Sequence, residues 1–68
     1  MHEKDIVKRM KLENDGANYL VVFSNLAAFY TVDKSQKTII SCLSESARKS
    51  RIIKVTVEAE TGKILSCS

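Results

Sequence analysis

Hydrophobic residues dominate both faces of one hairpin in this chain. Tyr19-Leu20-Val21-Val22-Phe23 runs into Ala27-Ala28-Phe29-Tyr30-Thr31-Val32 across Ser24-Asn25-Leu26. Successive side chains of a strand point to opposite faces, so a half-exposed hairpin should alternate apolar and polar positions. With a two-residue loop at Asn25-Leu26, Phe23 pairs with Ala28, Val21 with Tyr30 and Tyr19 with Val32. One face then carries Tyr19, Val21, Phe23, Ala28, Tyr30 and Val32. The other carries Leu20, Val22, Ser24, Ala27, Phe29 and Thr31. A slip of one residue exchanges the faces of one strand but leaves both apolar.

The flanking segments alternate more regularly. In Ile6–Glu13, Val7, Arg9, Lys11 and Glu13 form a solvated side. Ile6, Lys8, Met10 and Leu12 form a side that is apolar apart from Lys8. Asn14-Asp15-Gly16-Ala17-Asn18 predicts a tight turn, since glycine accepts positive φ without steric cost. Asp33 and Gln36 make a capping-box pattern for a helix over residues 34–50. Its Ile39, Ile40, Leu43 and Ala47 share one face, while Lys34, Lys37, Ser41, Glu45 and Arg48 share the other. Ile53, Val55, Val57 and Ala59 then alternate with Lys54, Thr56 and Glu58. A turn at Glu60-Thr61-Gly62-Lys63 leads to a last strand, Ile64–Cys67.

The order β-β-β-α-β-β predicts one α+β domain over residues 1–68. The expected form is a small OB-like five-stranded barrel or a strongly bent antiparallel sheet. Leu43-Ser44-Glu45-Ser46-Ala47-Arg48-Lys49-Ser50-Arg51-Ile52-Ile53-Lys54-Val55-Thr56-Val57 is a helix passing directly into a Val-Thr-Val strand. In this, and in its element order, the chain resembles the B subunits of bacterial AB toxins, the Shiga-type subunit above all. The resemblance spans Ile6–Cys67 and implies a bacterial, ring-forming, non-enzymatic binding module. The sequence has no counterpart of that family's sugar-binding aromatic and acidic loop, so no receptor-binding residue is carried over. Fold likeness by itself does not fix function.

Composition narrows the classes. Sixty-eight residues with 44% hydrophobic and 28% charged residues are typical of a globular domain. A chain of this size buries only roughly 60% of its unfolded surface, so oligomerisation or a staple is a common support. No apolar run reaches the roughly 20 residues that span a bilayer. The charged start Met1-His2-Glu3-Lys4-Asp5 leads to the expectation of a cytoplasmic protein with free thiols at Cys42 and Cys67. A leader removed before Met1 would make the protein secreted and allow a bridge. The net charge of +3 mildly favours anionic partners.

Candidate chemistry is sparse. His2 is the only imidazole, at a terminus expected to fray. No Cys/His spacing of zinc type occurs. No catalytic, cofactor or metal residue is assigned, and an enzyme is not expected. In a small domain one core covers one face of the hairpin. The interface is therefore expected on Tyr19, Val21, Phe23, Ala28, Tyr30 and Val32, with the partner a second copy or another protein. The alternatives are a monomeric protein-interaction adaptor and a single-stranded nucleic-acid binder. The latter would stack bases on Tyr19, Phe23 and Tyr30, with Lys8, Arg9, Lys11 and Lys54 as a basic rim.

Overall fold

Residues His2–Leu12 form one extended stretch interrupted only at Ile6, which divides it into β1 (His2–Asp5) and β2 (Val7–Leu12). The computed structural model describes residues 1–68. It continues with β3 (Asn18–Phe23), β4 (Phe29–Asp33), α1 (Lys37–Lys49), β5 (Ile53–Glu58) and β6 (Lys63–Cys67). All six strands belong to one sheet, in the order β1-β5-β6-β4-β3-β2. The first half of the N-terminal stretch pairs with β5 and the second half with β3, both antiparallel.

The α+β class and the single helix stand as expected; the finer architecture differs. There are six strands rather than five, and their ladders form a linear series rather than a closed cycle. Nor is the sheet wholly antiparallel, because β4 and β6 run parallel, meeting at Thr31 and Lys63. Parallel neighbours need a long crossover, which here consists of α1 and β5. Gly62 begins this contact: its carbonyl accepts from the Thr31 N–H at 2.9 Å. Its φ is +73°, and a Cβ there would lie 3.3 Å from the Phe29 carbonyl oxygen.

Two local features redirect side chains. A bulge between Val7 and Arg9 leaves Lys8 without a partner in β3. Val7 and Met10 consequently face inward, while Arg9 and Lys11 share the outer face with Val22 and Leu20. The inward Ile6/Lys8/Met10/Leu12 face expected from strict alternation is thus corrected; one inserted residue inverts the parity of everything before it. The β3–β4 register matches the expected Val21–Tyr30 and Tyr19–Val32 pairs. The ladder stops at Val22–Phe29, however, so the loop is longer than two residues and Ala28 lies in it, unpaired.

The core joins the inward side chains of the sheet to the helix. Val7, Val21, Phe23, Tyr30, Val32, Ile53, Val55, Val57 and Ile64 surround Leu43. Helix α1 covers residues 37–49 rather than 34–50. Asp33 does not cap it. Its carboxylate instead accepts from the Ser35 N–H at 2.8 Å, closing a turn that ends β4, and Gln36 occupies the N-cap position without a side-chain bond. At the other end Ser50 adopts a left-handed conformation, φ 53°. There the fully buried Ser46 hydroxyl donates to the Arg51 carbonyl at 2.6 Å and accepts from the Val7 N–H at 3.0 Å. This one hydroxyl ties helix end, following loop and first strand together.

Cys42, on the flank of α1, is bonded to Cys67 in β6, with Cα atoms 6.1 Å apart. The expectation of free thiols is corrected: helix packing brings together two residues 25 positions apart. The bond reinforces a small core. The folded chain exposes 4479 Å², against roughly 11,000 Å² for an extended chain of this mass.

Candidate binding surface

The outer side of β2, β3 and β4 is built by the ladder as two rows. Arg9 lies beside Val22, and Val22 beside Phe29. In the second row Lys11 lies beside Leu20, Leu20 beside Thr31, and Thr31 beside Lys63 of β6. Phe29 is 65% exposed, the centre of the strip is half-buried, and the cations at its ends are exposed. The helix packs on the inner side, against β2 and β6, and no segment of the chain crosses the strip. Here an apolar centre is bordered by cations, as β3 and β4 supply branched or aromatic side chains on both faces.

The expected interface residues lie elsewhere. Val21, Phe23, Tyr30 and Val32 are buried in the core, Tyr19 is half-buried against it, and Ala28 is exposed in the loop. All but Ala28 belong to the inner face, so the assignment of the working surface to them is corrected. The same observation removes the aromatic platform of the nucleic-acid reading. Phe23 and Tyr30 pack edge-to-face with ring centroids 5.6 Å apart, leaving Phe29 as the exposed aromatic ring. The basic rim is also divided. Lys8, Arg9 and Lys11 are exposed on β2, whereas Lys54 lies on β5 opposite Lys4 of β1. His2 lies in β1, paired with Thr56, and its Nδ1 lies 3.0 Å from the Thr56 hydroxyl.

Asp5 holds the loop that leads to Phe29. Asp5 is 3% exposed, and its carboxylate accepts four hydrogen bonds. These come from the N–H groups of Ile6 (2.7 Å), Asn25 (3.0 Å) and Leu26 (2.8 Å) and from the Asn25 side-chain amide (3.0 Å). Burial by itself would push the Asp5 carboxyl upward, but these donors together outweigh it and hold the group below the ordinary carboxylate range. Asp15, in the Gly16 turn, is lowered by the N–H groups of Ala17 and Asn18. Asp33 is lowered by the hydroxyl and N–H of Ser35. All three carboxylates organise turns.

No group of three His, Cys, Asp or Glu side chains converges in a metal-binding arrangement, and no helix is long and apolar enough to cross a membrane. Comparison with protein-family models, with curated proteins and with solved structures finds no match for this chain.

Proposed function

We propose that the protein is a non-enzymatic binding and assembly module that works as a homo-oligomer. The outer strip of Leu20, Val22, Phe29 and Thr31 is its contact surface. The observation that carries this reading is Phe29, 65% exposed at the β4 end of an apolar row on the sheet face opposite the helix. An apolar sheet face rimmed by cations is a common form of protein interface. The reading moves the interface to the opposite side of the hairpin but keeps its location within residues 19–32.

The finer fold reading is an OB-like barrel in which His2–Leu12 acts as a single first strand. Its support is that β1 and β2, at the two ends of the strand order, are consecutive through Ile6. That reading keeps the resemblance to toxin B subunits, which are secreted and disulfide-bonded. The Cys42–Cys67 bond supports an oxidising compartment over the cytoplasmic expectation.

Light scattering after size exclusion tests the assembly. The expected mass is a multiple of 7.6 kDa for the parent chain and the monomer value for Phe29→Lys. A parent chain that stays monomeric at micromolar concentration removes the self-assembly reading and leaves the adaptor.

A further inference from the structure

At the other end of the strand order the paired outward residues are polar, and Leu65, unpaired at an irregularity in β6, is half-exposed. Here β1, β5 and β6 again form two rows. His2 pairs with Thr56 and Thr56 with Ser66; Lys4 pairs with Lys54, whose backbone exchanges two hydrogen bonds with Ser68. Together with Glu3 and Val55 they line the largest concavity of the surface, about 570 Å³. The inward neighbours Ile53, Val55 and Val57 are fixed in the core. β1 is further anchored by the Val57 N–H, which donates to the Met1 carbonyl at 2.8 Å. The floor of the groove is therefore rigid sheet.

Lys4 and Lys54 are directly opposite across the ladder. Like charges in that position repel and are destabilising. The salt bridges of the chain join Glu45 to Lys49 and to Arg51. No side-chain carboxylate and no terminal carboxylate therefore stands within 4.0 Å of either ammonium. Glu58, the next acidic residue along β5, accepts instead from the Thr61 hydroxyl at 2.7 Å. Two cations with no direct ion-pair partner thus face one concavity, beside the hydroxyls of Thr56 and Ser66 and the His2 imidazole, with Glu3 and Ser68 at its edge.

We propose that this groove binds a small oxyanion, a phosphate, sulfate or carboxylate group, between the ammonium groups of Lys4 and Lys54. Ser66 and one donor from the hydrogen-bonded His2–Thr56 pair supply further hydrogen bonds to it. An anion relieves the repulsion across the ladder and accepts charge-assisted bonds from both lysines. The site shares no residue with the hydrophobic strip and does not depend on assembly.

Two-dimensional amide NMR of the intact protein provides the test. Sodium sulfate, phosphate and acetate are titrated separately against sodium chloride at matched ionic strength. The expected result is saturable shifts centred on Lys4, Lys54, Thr56 and Ser66 with at least one of the three anions. The choice among them distinguishes a tetrahedral from a planar group. Lys54→Gln should weaken this binding about tenfold or more, the loss of one charge-assisted contact. Lys34→Gln removes the same charge from an exposed turn and should leave binding within about twofold. The proposal is overturned if all three anions behave as chloride does, or if the two variants weaken binding equally, which would make the effect one of net charge.

Discussion

Breaking the Cys42–Cys67 bond should cost the fold a large share of its stability. The two residues are 25 apart in sequence. The chain-entropy relation for a loop of that length gives about 3.5 kcal/mol at 25 °C, through the freedom returned to the unfolded chain. Against this, typical stability per residue implies only about 3–10 kcal/mol for a chain of 68 residues. Removal of the bond therefore takes at least a third of the total, and the melting temperature should fall by about 15–25 °C. The assay is thermal denaturation followed by circular dichroism on three samples: the oxidised protein, the protein in a phosphine reductant, and Cys42→Ala/Cys67→Ala. Mass spectrometry after alkylation establishes the thiol count in each. The reduced protein and the double variant should melt together, well below the oxidised form. A melting temperature unchanged within about 3 °C, with two alkylated thiols confirmed, would refute the argument. It would mean that helix and sheet hold Cys42 beside Cys67 without help from the bond.

Two further predictions concern buried polar groups. Ser46→Ala should cost about 2 kcal/mol in urea denaturation, because it strands the Val7 N–H and the Arg51 carbonyl inside the protein; a loss under about 0.5 kcal/mol would show that water replaces the hydroxyl. Asp5→Asn replaces one accepting oxygen by a donor and should cost about 2–4 kcal/mol at pH 7. Its pH dependence follows from the lowered Asp5 carboxyl. The unfolded chain takes up this proton first, so the contribution is full well above the ordinary value of 3.8 and is lost as pH falls below it, through the folded-state value. Asp15 and Asp33 remain in the variant, so the difference between the two stability profiles isolates Asp5. Parallel profiles between about pH 5 and pH 2 would count against this account.

Periodicity alone determines a good deal of the fold. The alternation in Ile53–Val57 names three core residues correctly, and the helical period marks Leu43 as its centre. The Asp15-Gly16 turn follows from local steric rules, whereas the β3–β4 register matches although the loop is longer than the expected two residues. The excess of apolar residues in Tyr19–Val32 already implies that one face of the hairpin stays uncovered, since a chain of this length closes only one core. Which face that is depends on more distant contacts. Leu20, Val22 and Phe29 are no less hydrophobic than Val21, Phe23 and Tyr30; only the side on which α1 packs distinguishes them. The bulge at Lys8 turns Val7 into the core while Arg9–Leu12 keep their expected faces, without altering the composition of β2. Asp5 resembles any charged residue near a terminus until the Asn25-Leu26 loop folds over it, 20 and 21 positions away. The opposed lysines 4 and 54, and the bonded cysteines 42 and 67, are likewise products of pairing across the whole chain. Local pattern sets which residues can form strand, turn and helix. The tertiary structure decides which equivalent-looking residues are interior, which are bonded, and which remain on the surface, because those outcomes depend on what distant segments cover.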